Sequence, residues 1–323
     1  MFKKLKLALL VMLPAASAAE AALAQDYPTK PIRMVVAVAP AGPTDILARM
    51  IGQKLTDSWG QPVIIDNRPG GGQVIGTDIV AKSQPDGYTL LMSTNTFAVN
   101  PALFKRLPYD PQRDFTPITL VAEVPLILAI HPSVPASTVK ELIAVAKARP
   151  GQLNYGSSGT SSSLRLAAEL MQSMVDIQMV HVPYKGTGPA TTALVGGHVQ
   201  LMFTNPMVAL SQVKAGKLRA LAITSARRSD KIPELPTMSE AGLPGYTAGS
   251  WFGLMAPAKT SPATVDKLHG EVVRILRMPN VQELMAGSGA NAIGNTPQEF
   301  SSYIRADMAK WAKVIRASGI TAD

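Results

Sequence analysis

Short apolar runs of strand length alternate with amphipathic helical stretches along most of this chain, and no other feature restricts its fold as much. Ile32 to Ala39 is a nearly continuous apolar run, the pattern of a strand buried on both faces. It enters Pro40-Ala41-Gly42-Pro43-Thr44-Asp45. A helix follows with Ile46, Leu47, Met50, Ile51 and Leu55 on one stripe, and Thr44 or Asp45 is read as its cap. Further strands are predicted at Val63 to Ile65, Tyr88 to Ser93, Leu153 to Gly156, Ile177 to Val182, Val199 to Phe203, Leu218 to Thr224 and Trp251 to Ala256. A longer one, Leu120 to Ile130, is broken by Pro125. Helical patterns lie between them, and Thr296-Pro297-Gln298-Glu299 reads as a capping box for the last. Strand–loop–helix repetition of this kind specifies an α/β fold with parallel-rich sheets. Two such series around a Pro-broken strand predict two α/β domains, 25–126 with 251–323 and 127–250.

The start of the chain has a different character. Met1-Phe2-Lys3-Lys4-Leu5-Lys6 precedes an apolar run from Leu7 to Leu13, and alanines lead to Ala22-Leu23-Ala24-Gln25. A basic start, an apolar core too short to span a bilayer and an A-x-A site make residues 1–24 a cleaved secretory signal peptide, with export to the periplasm expected. About 300 residues then remain, enough for two ordinary domains.

Composition removes several kinds of function. The chain has no Cys, which excludes disulfides, thiolate nucleophiles and Cys-ligated metals. The formal charge is +9; the leader holds three Lys and one Glu, leaving 28 basic and 21 acidic side chains. The basic residues are scattered and aromatics make up only 5%, too few for a base-stacking platform, so nucleic acid is not an expected partner. A basic exported chain suits small anions instead.

Ligands of open α/β sheets sit at the carboxyl ends of strands, against helix N-termini. Here those points carry small polar residues. Ser157 to Ser163 holds six hydroxyls and one Gly, offering side-chain donors, backbone N–H groups and the positive end of a helix to an anion. The same stretch also reads as a flexible loop with a helix cap at Ser161 or Ser162. Pro40 to Asp45 and Ser93 to Thr96 occupy equivalent places, which points to a shared site. Enzymatic motifs are poor. Gly156-Ser157-Ser158-Gly159-Thr160 lacks the final Gly of a nucleophile elbow. Gly70-Gly71-Gly72-Gln73-Val74-Ile75 lacks the last Gly of a dinucleotide loop. None of His131, His181, His198 and His269 pairs with another His or a carboxylate at metal-ligand spacing, and none has an evident partner. Each is read as structural. No metal and no cofactor is expected.

The order of short motifs adds to this reading. Tyr27-Pro28-Thr29-Lys30-Pro31-Ile32-Arg33 and Ala41-Gly42-Pro43-Thr44-Asp45 open the exported part. Asn67-Arg68-Pro69-Gly70 and Pro85-Asp86-Gly87-Tyr88-Thr89-Leu90 follow. Later come Asn154-Tyr155-Gly156-Ser157-Ser158-Gly159, His181-Val182-Pro183-Tyr184-Lys185-Gly186 and Glu240-Ala241-Gly242-Leu243-Pro244-Gly245. Together these resemble the Bug family, the periplasmic receptors of tripartite tricarboxylate transporters. The resemblance implies a periplasmic-binding-protein-like fold, two α/β domains closing over a ligand cleft. It also implies a small carboxylate held by the loops after strands. Carried over to this sequence, the binding positions are Ala41, Gly42 and Thr44, then Ser93, Thr94 and Asn95. The second domain would give Ser157, Ser158, Thr160, Ser161, Ser162, Tyr184, Lys185 and Gly186, with Thr204 and Asn205 after a later strand. The chain departs from the family pattern at Ala41 and Ser161, where Gly is usual, and at Arg165, where His is common. Thr204 and Ala193 stand where the family often has Asp.

The expected function is therefore extracytoplasmic capture of a small organic acid and its delivery to the permease subunits of a tripartite transporter. The receptor is expected to be a monomer without catalytic residues. Two rivals share the sequence features: a periplasmic sensor subunit presenting its bound acid to a signalling partner, and a Ser-dependent hydrolase built on the Ser157 loop.

Overall fold

Two mixed sheets, each covered by helices, organise the chain. The computed structural model describes residues 27–38, 40, 43–159, 162–184, 187–287 and 289–321. The expected signal peptide, residues 1–24, and the expected binding positions Ala41, Gly42, Thr160, Ser161, Lys185 and Gly186 lie outside the described residues.

The first sheet runs β11-β4-β10-β3-β1-β2, formed by β1 (Ile32–Val36), β2 (Val63–Asn67), β3 (Thr89–Thr94), β4 (Phe115–Pro125), β10 (Gly249–Pro257) and β11 (Asn291–Ala292). β1 pairs in parallel with β2 and β3, placing Ile32 opposite Val63 and Arg33 opposite Thr89. The second sheet runs β7-β6-β8-β5-β9, formed by β5 (Ile127–Ile130), β6 (Asn154–Ser157), β7 (Val180–Pro183), β8 (Leu201–Thr204) and β9 (Arg219–Ile223). β6 is parallel to β7 and β8.

Strand direction departs from the expected parallel pattern in both sheets. β10 is antiparallel to β3 and β4, and β5 is antiparallel to β8 and β9. A strand buried on both faces carries the same apolar run in either direction, so the residues alone do not encode this. In β1, Ile32, Met34 and Val36 enter one core while Val35 enters the other, the period of two that a doubly covered strand requires. One face of the first sheet is covered by α1 (Pro43–Trp59) and α8 (Pro262–Leu276), through Leu47, Ile51, Leu55, Leu268, Val272 and Ile275. The other face packs on α2 (Val74–Ala81), α3 (Thr96–Leu103) and the long α10 (Pro297–Ser318). This core continues into the second sheet through buried Ile127 to Ile130. The remaining helices are α4 (Val139–Ala148), α5 (Ser163–Val175), α6 (Thr187–Val195), α7 (Pro206–Lys214) and α9 (Pro279–Gly287).

Local rules set most helix ends. Thr138, Ser162, Ser261 and Thr296 accept from the backbone N–H three residues on, and Thr296 with Glu299 forms the expected capping box. α1 begins at Pro43, so Thr44 and Asp45 lie inside its first turn and are not its cap. α3 has no counterpart in the sequence reading and carries Pro101 within it; buried Phe97, Ala98, Val99 and Leu103 hold it in place. Tertiary packing outweighs the local penalty there.

The chain crosses between the sheets twice, and one threonine joins the crossings. Thr224 Oγ1 accepts from Leu126 N (2.7 Å) and donates to Ala248 O (2.6 Å). The Thr224 backbone bonds Leu126 O and the Ala248 N–H. The two crossings also approach closely at Gly249, where a Cβ would lie 2.6 Å from Val124 O.

Candidate functional site

Strand order locates the site. In the first sheet β1 lies between β2 and β3, and in the second β6 lies between β7 and β8, so successive crossovers depart to opposite sides of β1 and of β6. Such switch points open a crevice at the carboxyl ends of the strands. The loops leaving β6 and β8 from one sheet, and α1 following β1 from the other, meet there.

A cleft of about 370 Å³ lies between the two sheets at this place. Pro43 at the start of α1, Ser163 at the start of α5, Thr187 at the start of α6 and Asn205 immediately before α7 all line it. Each N-terminus carries a partial positive charge, so four of them around one cleft favour an anion. Among the described residues no Asp or Glu lines it. Asp45 in the first turn of α1 is turned away, buried against Arg49 Nε (2.9 Å) and Asn67 Nδ2 (3.0 Å). At the junction of the sheets, the Ser163 and Ser250 hydroxyls lie 3.0 Å apart.

A second cavity of about 510 Å³ lies beside this cleft. Gly72, Gln73, Thr96 and Asn100 line one side of it, and Ser158, Gly159 and Ser162 the other, so Ser158 borders both spaces. A third, of about 360 Å³, sits at the crossing segments and is lined by Glu123, Asp307, Lys310 and Tyr303. Its two carboxylates make it the poorer place for an acid.

The hydroxyl loop is held from within. Ser157 is fully buried; its hydroxyl proton goes to Gly159 O at 2.9 Å. The oxygen also accepts from Gly159 N (3.2 Å) and lies 2.6 Å from His181 Nε2, with which it shares a hydrogen bond. Ser162 Oγ donates to the same Gly159 carbonyl at 2.8 Å while capping α5, which settles the choice between Ser161 and Ser162 among the described residues. His181 stacks on Tyr155, whose hydroxyl donates to Glu169 (2.7 Å), and Glu169 pairs with Arg165. Burial and then the Arg165 charge push His181 down to about 4. The expectation that no His has a partner is thus corrected: residues 157 and 181 meet because β6 and β7 are adjacent parallel strands, a pairing invisible in sequence spacing. Ser157 is fully buried, so the pair is not open to a ligand in the cleft.

The other expected binding positions divide between cleft and scaffold. Ser158 and Asn205 line the 370 Å³ cleft, and Ser158 and Ser162 line the 510 Å³ cavity. Thr44, Ser93, Thr94 and Asn95 are buried. Ser93 Oγ donates to Gly253 O (3.1 Å), and Thr94 Oγ1 donates to Gln73 Oε1 (2.9 Å). Asn95 accepts the first N–H bonds of α3 on its backbone carbonyl. Tyr184 is half-buried against the core and bonds Ser157 O through its N–H. Thr204 is fully buried and its hydroxyl has no bonding partner among the described residues. Sequence reasoning missed Ser250, Gln73 and the apolar wall of the cleft. Gln73 has φ +73° and donates to Thr96 Oγ1 at 3.0 Å, a role nothing in its local sequence indicates.

The family model "Tripartite tricarboxylate transporter family receptor" matches residues 47–320. The chain belongs to this family of receptors. It is 40% identical over 298 residues to Protein BugT of Bordetella pertussis, covering 92% of this chain and 91% of that protein. Among solved structures, Rpa4515 of R. palustris with adipate is 36% identical with a TM-score of 0.76, covering 91% of this chain and 99% of its own. MatC of Rhodopseudomonas palustris with bound malate is 32% identical with a TM-score of 0.72, covering 90% and 100%. The two mixed, helix-covered sheets of this receptor make two α/β lobes. Among its described residues no helix is long and apolar enough to cross a membrane, and no group of three His, Asp or Glu side chains is placed to hold a metal.

Proposed function

We propose that this receptor captures a small organic acid outside the cytoplasm and delivers it to the membrane subunits of a tripartite transporter. The observation that carries the reading is the meeting of four helix N-termini, with Ser158, Ser163, Thr187 and Asn205, on a cleft without an acidic side chain among the described residues. That environment selects a negative charge through fixed dipoles and neutral donors. The relatives bound to adipate and malate support a carboxylate as the charged group. Lobes of 25–126 with 251–323 and of 127–250, moving about the crossings near 126 and 250, give the cleft a way to close. Binding without turnover suits a Ser157 side chain that is fully buried beside His181.

Thermal-shift measurements on the purified chain test the carboxylate requirement. An acid that stabilises the protein should lose most of its effect as the corresponding amide, since donors buried without a charged acceptor cost about 1–3 kcal/mol each. Equal shifts from acid and amide would rule the reading out. Export follows from the leader: N-terminal sequencing of secreted protein should begin at Gln25, and secreted material still starting at Met1 would contradict processing after Ala24.

A further inference from the structure

We infer that the captured acid carries a single carboxylate on an apolar body, with the two lobes dividing its recognition between them. The inference rests on the carboxylate reading above and names the class of ligand. Polarity in the 370 Å³ cleft segregates by lobe. The polar groups Ser158, Ser163, Thr187 and Asn205 come from the loops of the second sheet. The first-sheet side adds the N-terminus of α1 at Pro43 and one hydroxyl, Ser250, which lies 3.0 Å from Ser163.

The opposite wall is hydrocarbon. Ile46, Leu47 and Met50 project from α1, Leu284 and Met285 from α9, and Phe252 from β10. Ile46 is 54% exposed and Leu284 57% exposed, although both line the cleft. Large apolar side chains left wet at a ligand cleft indicate an apolar surface that covers them. Among the described residues no Arg, Lys or His lines the cleft. Beyond the start of α1, a second carboxylate set against Ile46, Met50, Leu284 or Phe252 would lose its hydration to side chains that offer neither a donor nor a cation, which disfavours diacids that span the cleft. A hydrocarbon body there displaces water instead, gaining about fourfold in affinity for each CH2 buried.

Hexanoate and adipate separate the possibilities, because they share six carbons and differ in one terminal carboxylate. Titration calorimetry of the full exported chain with hexanoate, 3-phenylpropanoate, adipate and malate is the test. At least one of the monoacids should bind tenfold or more tighter than either diacid. Tighter binding of adipate or malate than of both monoacids overturns the inference and leaves the carboxylate reading standing. Binding of none of the four overturns both. The variant Ile46→Arg sits at an exposed helix position and should fold normally. It should weaken the preferred monoacid by tenfold or more and strengthen adipate by a similar factor. An unchanged preference in a folded Ile46→Arg protein would show that this wall does not face the ligand, and would also overturn the inference.

Discussion

His181 couples its protonation to the hydroxyl loop after β6. Its Nε2 lies 2.6 Å from Ser157 Oγ, and that hydroxyl holds both the N–H and the carbonyl of Gly159. Burial and the Arg165 charge push the imidazole down to about 4, while an unfolded chain protonates near the ordinary value of 6.5. Between these values the unfolded state binds more protons. Stability therefore rises with pH across this window, is complete above 6.5, and declines as pH falls toward 4. His181→Gln keeps a donor for Ser157 but does not titrate. Urea denaturation from pH 4 to 7.5 should show the wild type losing stability over that window more steeply than the variant. Superimposable profiles would disconnect His181 from the loop. None of this was legible in the sequence, where residues 157 and 181 are separated by a helix and become neighbours only through strand pairing.

At the scale of elements, the loop before α5 carries one hydroxyl that caps the helix and another that borders both cavities. Ser162 accepts from Arg165 N and is the N-cap; Ser158 lies four residues earlier, at the border of both cavities. Ser162→Ala should cost about 1 kcal/mol of stability. Ser158→Ala should leave ligand-free stability nearly unchanged and weaken acid binding roughly ten- to a hundred-fold, the worth of one hydrogen bond to a charged group. Denaturation and calorimetry on the two proteins check this, and a destabilised Ser158→Ala protein with normal affinity would reverse the assignment. Most elements here follow from local pattern: β1 from its apolar run, α5 from its hydroxyl cap, α10 from its capping box. What escaped was decided by tertiary packing. α3 forms despite Pro101 because its apolar residues are buried, and β11 is two residues long and stands only by pairing with β4. Of the site, the hydroxyl loop was legible as a donor cluster after a strand. The apolar wall was not, since Ile46 and Met50 read equally well as core-facing helix positions until the second lobe stands opposite them.

For the whole molecule, the way its halves are joined decides whether a cleft can open and close without unfolding. The chain passes from one sheet to the other at Leu126 and returns through the segment ending at Ala248, and Thr224 bonds both. Its side chain is fully buried. The Leu126 N–H and the Ala248 carbonyl thus have a hydroxyl as partner where they pass between sheets, away from either strand ladder. Nearby, Lys310 pairs with Asp307 at 2.8 Å and reaches toward Thr247 O at 3.4 Å, while Asp307 accepts from Trp251 Nε1 at 2.8 Å, anchoring α10 to the returning crossing. Thr224→Val preserves shape and removes the hydroxyl, leaving one donor and one acceptor buried without it. The loss should be roughly 1–3 kcal/mol for each group. Thr224→Ser restores the hydroxyl and gives up only a methyl, so it should recover most of that stability, within about 1 kcal/mol of wild type. Urea denaturation of the three proteins measures this directly. If the hydroxyl joins the halves, the Val variant falls well below wild type and the Ser variant stays close to it. If the methyl's packing is what matters, the order reverses, with Ser the weaker protein and Val unaffected, and the crossings are then held by packing around position 224.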